Sequence, residues 1–142
     1  MKIQQISLFV ENKPGHISAP ARLLAQEGVD IRALYLADTQ QYGIVRMVVS
    51  DWRKAAAVLE AHEFVVKLTE VLAVEVPDHP GGLADVLGAL DATGINIEYM
   101  YAFPYLRGAQ AVLIFRFNDL DAAIARLQAA GINLLGSDEL LK

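Results

Sequence analysis

The sequence predicts an α+β protein made of two tandem βαββαβ units, each an antiparallel sheet with its helices on one face. Two observations carry this prediction. The first is a repeat: Asn12-Lys-Pro-Gly-His-Ile17 returns as Asp78-His-Pro-Gly-Gly-Leu83, and Gly28-Val29-Asp30-Ile31 returns as Gly94-Ile95-Asn96-Ile97. Pro14 and Pro80 stand 66 residues apart, as do Gly28 and Gly94, and a repeat at fixed offset marks one folding unit used twice. The second is the hydrophobic pattern, which gives strand, helix, strand, strand, helix, strand in both copies. The 142 residues therefore divide into domains at 1–68 and 69–142. Each has about 70 residues, too few to bury much of its own surface, so the halves are expected to lean on each other or on a second chain.

Each element has its own signal. Ile6, Leu8 and Val10 alternate with Ser7 and Phe9, and Leu72, Val74 and Val76 repeat the spacing, which predicts the first strand of each unit. The Pro-Gly loop follows. Ile17, Ala21 and Leu24, with counterparts Leu83, Leu87 and Leu90, mark one apolar face of a helix about three turns long. Gly28 and Gly94 are expected to end these helices as glycine caps. Second strands are predicted over 29–37 and 95–103. The third strands, 44–49 and 111–117, are apolar at nearly every residue, as suits a strand covered on both faces. Asp51 and Asp119 read as N-caps of helices with apolar positions Trp52, Ala55, Ala56 and Leu59, then Leu120, Ala123, Ile124 and Leu127. Short final strands are expected at 64–67 and 132–135. The two Asp caps lie 68 apart, so the second copy has gained two residues around 105–108.

This order is the split βαβ, or ferredoxin-like, arrangement. If the face carrying Ile31 and Tyr35 meets the helices, the opposite face is open. Leu34, Leu36 and Met100 would then point outward there, which implies cover by another sheet or subunit.

Composition narrows the function. The chain is 54% hydrophobic and 20% charged, with a formal charge of −5 and no run of Lys or Arg. That argues against a nucleic-acid partner. With no Cys, disulfides, thiolate metal sites and cysteine nucleophiles are excluded. The first residues alternate and do not resemble a signal peptide, and no segment approaches the roughly 20 apolar residues that span a bilayer. A cytoplasmic protein with no membrane association is expected.

Fold alone does not assign function, and the candidate sites are the two loops. Pro and Gly at the first helical turn leave backbone N–H groups unpaired, a receptor for carboxylate or phosphate. Asn12 or Asp78 opens each loop and Asp30 or Asn96 opens each second strand, all acceptors for an ammonium group. Amides for a carboxylate beside acceptors for an ammonium describe a zwitterion site of α-amino-acid size. The same residues also read as helix caps and turn glycines without a ligand.

These motifs resemble the ACT domain family over nearly the whole chain, as two tandem copies. Asn12-x-Pro14-Gly15-x-Ile17 and Asp78-x-Pro80-Gly81-x-Leu83 carry the resemblance with the Gly28 and Gly94 motifs, and 94–103 looks like the family's second strand. The resemblance implies a small-molecule regulatory domain, usually binding an amino acid where two such domains meet. It places Asn12, Gly15, His16 and Ile17 in one site with Asp30 and Ile31. Asp78, Pro80, Gly81, Gly82 and Leu83 fall in the other with Asn96 and Ile97. The first copy departs from the pattern: Asn12 and Asp30 exchange the family's usual Asp and Asn, and His16 replaces a small or apolar residue. The second copy is therefore the expected ligand site.

The two repeats consume the chain and leave no catalytic domain, so a freestanding sensor is expected. It would form a homodimer, signal to a partner enzyme or regulator, and carry neither cofactor nor metal. His16, His62 and His79 lack the nucleophile or paired acid that catalysis needs. Two lone loop histidines with Asp78 rarely close a metal site. The rival reading is an interaction module that uses its sheets for assembly and its loops for nothing. Tyr35, Tyr99, Tyr101 and Tyr105 either line the ligand pocket or fill the core, and the 66-residue spacing of Tyr35 and Tyr101 favours core for that pair.

Overall fold

A computed structural model describes residues 1–38 and 41–141. The side chains of 38 and 105–107 fall outside the described residues, among them the Tyr105 named above. Two compact units divide the chain. The first comprises Gln4–Thr69 with Leu141, and the second Glu70–Leu140 with Met1–Ile3.

In the first unit, β1 (Ile3–Glu11), α1 (Ser18–Gln26), β2 (Ile31–Asp38), β3 (Tyr42–Val49) and α2 (Trp52–Ala61) lead into β4 (Val65–Pro77). The strand order is β2-β3-β1, with β4 next to β1. Ile6 pairs with Met47 and Leu8 with Val45, antiparallel. One core forms on the helix side, where Ile6, Leu8, Val45 and Met47 meet Leu24 of α1 and Ala55 and Leu59 of α2. Leu59 is completely buried, which stabilises the fold by about 1.5–3 kcal/mol relative to an exposed leucine.

The second unit repeats the plan with α3 (Gly82–Gly88), β5 (Ile97–Arg107), β6 (Gln110–Phe117), α4 (Leu120–Ala129) and β7 (Leu134–Leu135). A short α5 (Ser137–Leu140) ends it. Here β4 lies between β6 and β7, and β5 is the edge strand. Leu72, Val74, Phe115 and Phe117 form the core with Val86, Leu90, Ala123 and Leu127. The Phe115 and Phe117 rings stack at 5.3 Å.

The N-caps stand as expected: Asp51 accepts from the Lys54 N–H at 3.1 Å and Asp119 from the Ala122 N–H at 3.0 Å. Gly28, at φ +70°, follows α1 in the left-handed conformation, and the Val29 N–H returns to the Leu24 carbonyl. Several expectations need correction. The final strand of the first unit and the first strand of the second are one uninterrupted strand, β4, because no proline or glycine interrupts 65–76 before Pro77 ends it. Helix α3 has only seven residues and gives way to turns before Gly94, with Ala92 also at positive φ. Leu83 is accordingly exposed, and Val86 takes the buried position.

The facing of the second strands is also reversed. A bulge between Ile31 and Ala33 shifts the register, and a one-residue slip moves every later side chain to the other face. Leu34 thus pairs with Met47 on the helix side, while Tyr35 pairs with Arg46 on the opposite face, 5.7 Å beneath its guanidinium. The same bulge recurs between Ile97 and Tyr99. Met100 therefore packs against the helix-side core, and Tyr101 and Phe103 lie on the other face. That face is not open. Val48 and Ala33 in the first unit, and Ala73, Val112, Ile114, Tyr101 and Phe103 in the second, are all buried.

Candidate functional site

Both loops are built alike. Gly15 and Gly81 each take φ +86°, a left-handed turn in which glycine carries no Cβ penalty. The His16 N–H closes on the Lys13 carbonyl at 3.2 Å, and the Gly82 N–H closes on the His79 carbonyl at 3.0 Å. The Asn12 N–H reaches the Gln41 carbonyl, and the Asp78 N–H reaches that of Ala109, each at 3.0 Å. Each loop is thereby tied to the hairpin between the second and third strands of its unit. Among the described residues, the Gly15 and Ile17 amides in one loop and the Gly81 amide in the other carry no backbone bond in these turns. Asn12, Gly15, Asp78, Pro80 and Gly81 are exposed, and His16 and Ile17 are half-buried.

The residues that open the second strands are held by a reciprocal device. The Asp30 N–H donates to the Ser50 hydroxyl at 2.9 Å, and the Ser50 N–H returns to the Asp30 carbonyl at 2.9 Å. In the second unit the Asn96 N–H donates to the Asn118 side-chain oxygen at 2.8 Å, and the Asn118 N–H returns to the Asn96 carbonyl. Their backbones are therefore committed, and only the side chains face outward. The Asp30 carboxylate already meets Arg32 at 3.2 Å.

Within a unit these residues are not neighbours of the loop. Glu11, at the loop end of β1, pairs with Tyr42, whereas Ile31 pairs with Val49 at the far end of β3. Pro77 and Ile97 are likewise set against Gln110 and Phe117 at opposite ends of β6. The separation is about 20 Å at strand spacing. The helix between the two strands returns the chain to the end of the sheet where the first strand began. A zwitterion site made from the loop and second strand of a single unit is thus excluded.

A feature not anticipated from the sequence lies beside each loop. In the first unit a cleft of about 380 Å³ opens between the loop, α1 and the turn after α2, lined by Phe9, Lys13, Gly15, His16, Phe64 and Val65 among others. In the second a cleft of about 410 Å³ occupies the equivalent place and is lined by Glu75, Asp85, Gln110, Ile132 and Asn133 among others. No residue of its own Pro-Gly loop lines this second cleft.

The packing of the two loops differs at one position. Gly82 is buried, and a Cβ there would stand 2.0 Å from the Pro77 carbonyl oxygen, so the second loop folds down onto its strand end. His16 holds the equivalent position in the first loop and is among the residues lining its cleft, with its ring against the Lys13 carbonyl. Among the described residues no group of His, Asp and Glu side chains is placed to hold a metal ion, and no helix is long and apolar enough to cross a membrane. His62, exposed just after α2, has its ring Nδ1 3.0 Å from the Val58 carbonyl.

With two βαββαβ units and their Pro-Gly loops in place, the comparison with known proteins is direct. The family model described as "ACT domain pair" matches residues 1–141, and the chain belongs to that family. Among solved structures, protein BT0572 from Bacteroides thetaiotaomicron is 37% identical with a TM-score of 0.93, covering 100% of this chain and 97% of that one. The ligand-free regulatory subunit of aspartate kinase from Thermus thermophilus is 20% identical with a TM-score of 0.64, covering 90% of each chain. The corresponding subunit from Thermus flavus aligns with 20% identity and a TM-score of 0.62 over the same 90% shares. At these identities the two kinase subunits share the fold. No curated protein matches the chain.

Proposed function

We propose that the protein is a non-catalytic sensor that binds a free amino acid through its Pro-Gly loops and regulates amino-acid metabolism through a partner protein in the cytoplasm. The observation that carries this reading is the loop itself, made twice with glycine at φ +86° and leaving, among the described residues, amides without a backbone partner ahead of a helix. Such amides suit the ligand carboxylate, and the side chains of Asn12 and Asp78 suit its ammonium group. Membership of the ACT domain pair family supports a regulatory role. Asp30 and Asn96 stand too far from the loop of their own unit to share one amino acid with it, so they contribute when a second copy of the chain brings them to the loop. A homodimer supplies such a second copy. Regulation then follows if ligand binding favours one of two subunit arrangements over the other.

A thermal-shift screen against the common amino acids tests the reading. A ligand that binds only the folded state raises the midpoint by mass action, by about 2.7 kcal/mol of stability at a hundredfold excess over Kd. A selective, saturable shift that Asp78→Ala or Asn96→Ala weakens is the expected result. A second reading, an assembly module with empty loops, is favoured by Leu34 and Leu36, which are 50% and 44% exposed on the edge strand β2. It requires a midpoint that climbs with protein concentration and ignores every amino acid.

A further inference from the structure

We propose that two copies of the chain join edge to edge through β2, antiparallel and centred on Tyr35. This rests on the homodimer of the reading above and names the surface that forms it.

A sheet edge presents backbone groups that invite another strand, and proteins blunt it with proline, charge or irregular register. The two edges of this sheet differ in that respect. Strand β5 contains Pro104, which has no N–H to donate, and its register breaks after Ile97 and again after Phe103. Strand β2 is irregular only at its start. From Ala33 to Asp38 it pairs with β3 without a break, and Ala33-Leu34-Tyr35-Leu36-Ala37 holds neither charge nor proline. Leu34 and Leu36 stand 50% and 44% exposed there, both on the helix side, opposite Met47 and Val45. An undefended edge with an apolar flank suits the addition of a strand.

Charge and register both point to a second copy as the occupant. Residues 4–69 hold seven acidic and seven basic side chains, whereas 70–140 hold ten acidic and three basic. Two first units can therefore meet without net repulsion, and two second units cannot. A two-fold dimer sets one patch against itself, so the two β2 strands run antiparallel. Opposed residues must share a face, so the axis falls on a residue rather than between two. With the axis on Tyr35, Leu34 lies opposite the partner's Leu36 and Ala33 opposite the partner's Ala37. The two leucines of each copy then cover those of the other on the helix side. An axis on Leu34 or on Leu36 would instead set the remaining leucine opposite Arg32 or Asp38.

The chain has no cysteine, so introduced thiols report the pairing directly. Opposed residues of antiparallel strands stand about 4.5–5.5 Å apart at Cα, within the span of a disulfide. Tyr35→Cys in the full chain, oxidised with copper phenanthroline, should therefore give a covalent dimer, and Ala102→Cys on β5 should not. Leu34→Cys and Leu36→Cys chains should cross-link when mixed and fail to do so separately; both are surface positions and keep the Tyr35 ring. Leu36→Lys should raise the dimer dissociation constant in analytical ultracentrifugation by roughly tenfold or more, with circular dichroism melts verifying that each variant folds. A dimer that links through Ala102→Cys, or through neither Tyr35→Cys nor the mixed leucine variants, overturns the β2 surface and leaves the sensor reading standing. A chain that stays monomeric at every concentration overturns the surface and the homodimer together, while amino-acid binding is judged separately by the thermal-shift screen.

Discussion

At the scale of single residues, Gly82 and Gly88 make a controlled pair on one short helix. A methyl group at Gly82 would meet the Pro77 carbonyl at 2.0 Å, whereas nothing lies within 4 Å of a Cβ at Gly88. Gly82→Ala should lower stability by about 1–3 kcal/mol, read as a shift in the urea midpoint. Gly88→Ala should be neutral or raise stability by up to about 1 kcal/mol, since alanine is the better helix former. Equal losses for the two would contradict the packing described for this loop. The loop glycines were legible in the sequence as turn residues. The role of Gly82 was not, because it depends on a contact with an atom five residues upstream that no local pattern reveals.

At the scale of elements, the Asp51 and Asp119 caps occupy the same place in the two units and make the same bond to the third helical amide. Replacing either by alanine should cost about 1 kcal/mol, measured by chemical denaturation, and the two losses should be similar. The strand and helix order was readable because each element carries its own periodicity. What misled was parity. Alternation counted through Ile31 to Tyr35 places both on one face, but the bulge after Ile31 inserts a residue and turns Tyr35 over to Arg46. A bulge changes neither composition nor hydrophobicity, so the pattern carries no trace of it. The site suffered similarly. Asp30 and the Pro-Gly loop look adjacent in the sequence motif, yet a strand-helix-strand crossover sends the second strand off from the opposite end of the sheet.

At the scale of the whole molecule, the N-terminus is fastened by charge. Lys2 lies 2.9 Å from the Asp121 carboxylate, and its pKa is raised from the ordinary 10.5, first by the hydrogen bond to Asp121 and then by that group's charge. A raised folded-state pKa means that the charged lysine stabilises the fold at all pH values below its unfolded pKa. The contribution is lost as pH rises through the folded value. Lys2→Gln should therefore melt slightly below the parent at neutral pH, and the gap should close above pH 10.5 in a series of melts. A gap that widened with alkali would contradict the pairing. Because Met1–Ile3 belong to the same compact unit as Glu70–Leu140, this contact joins the beginning of the chain to the body of its second half.

The His16 and Gly82 positions differ in the substitutions they tolerate. Glycine can be accommodated in either loop, but a side chain can be accommodated only in the first. Exchange between the two copies is thus a one-way step: the first half can converge on the second by a single substitution, and the second cannot follow the first without remodelling its strand end. Position 16 is therefore open to many residues, while position 82 admits glycine alone as long as the strand end keeps its shape.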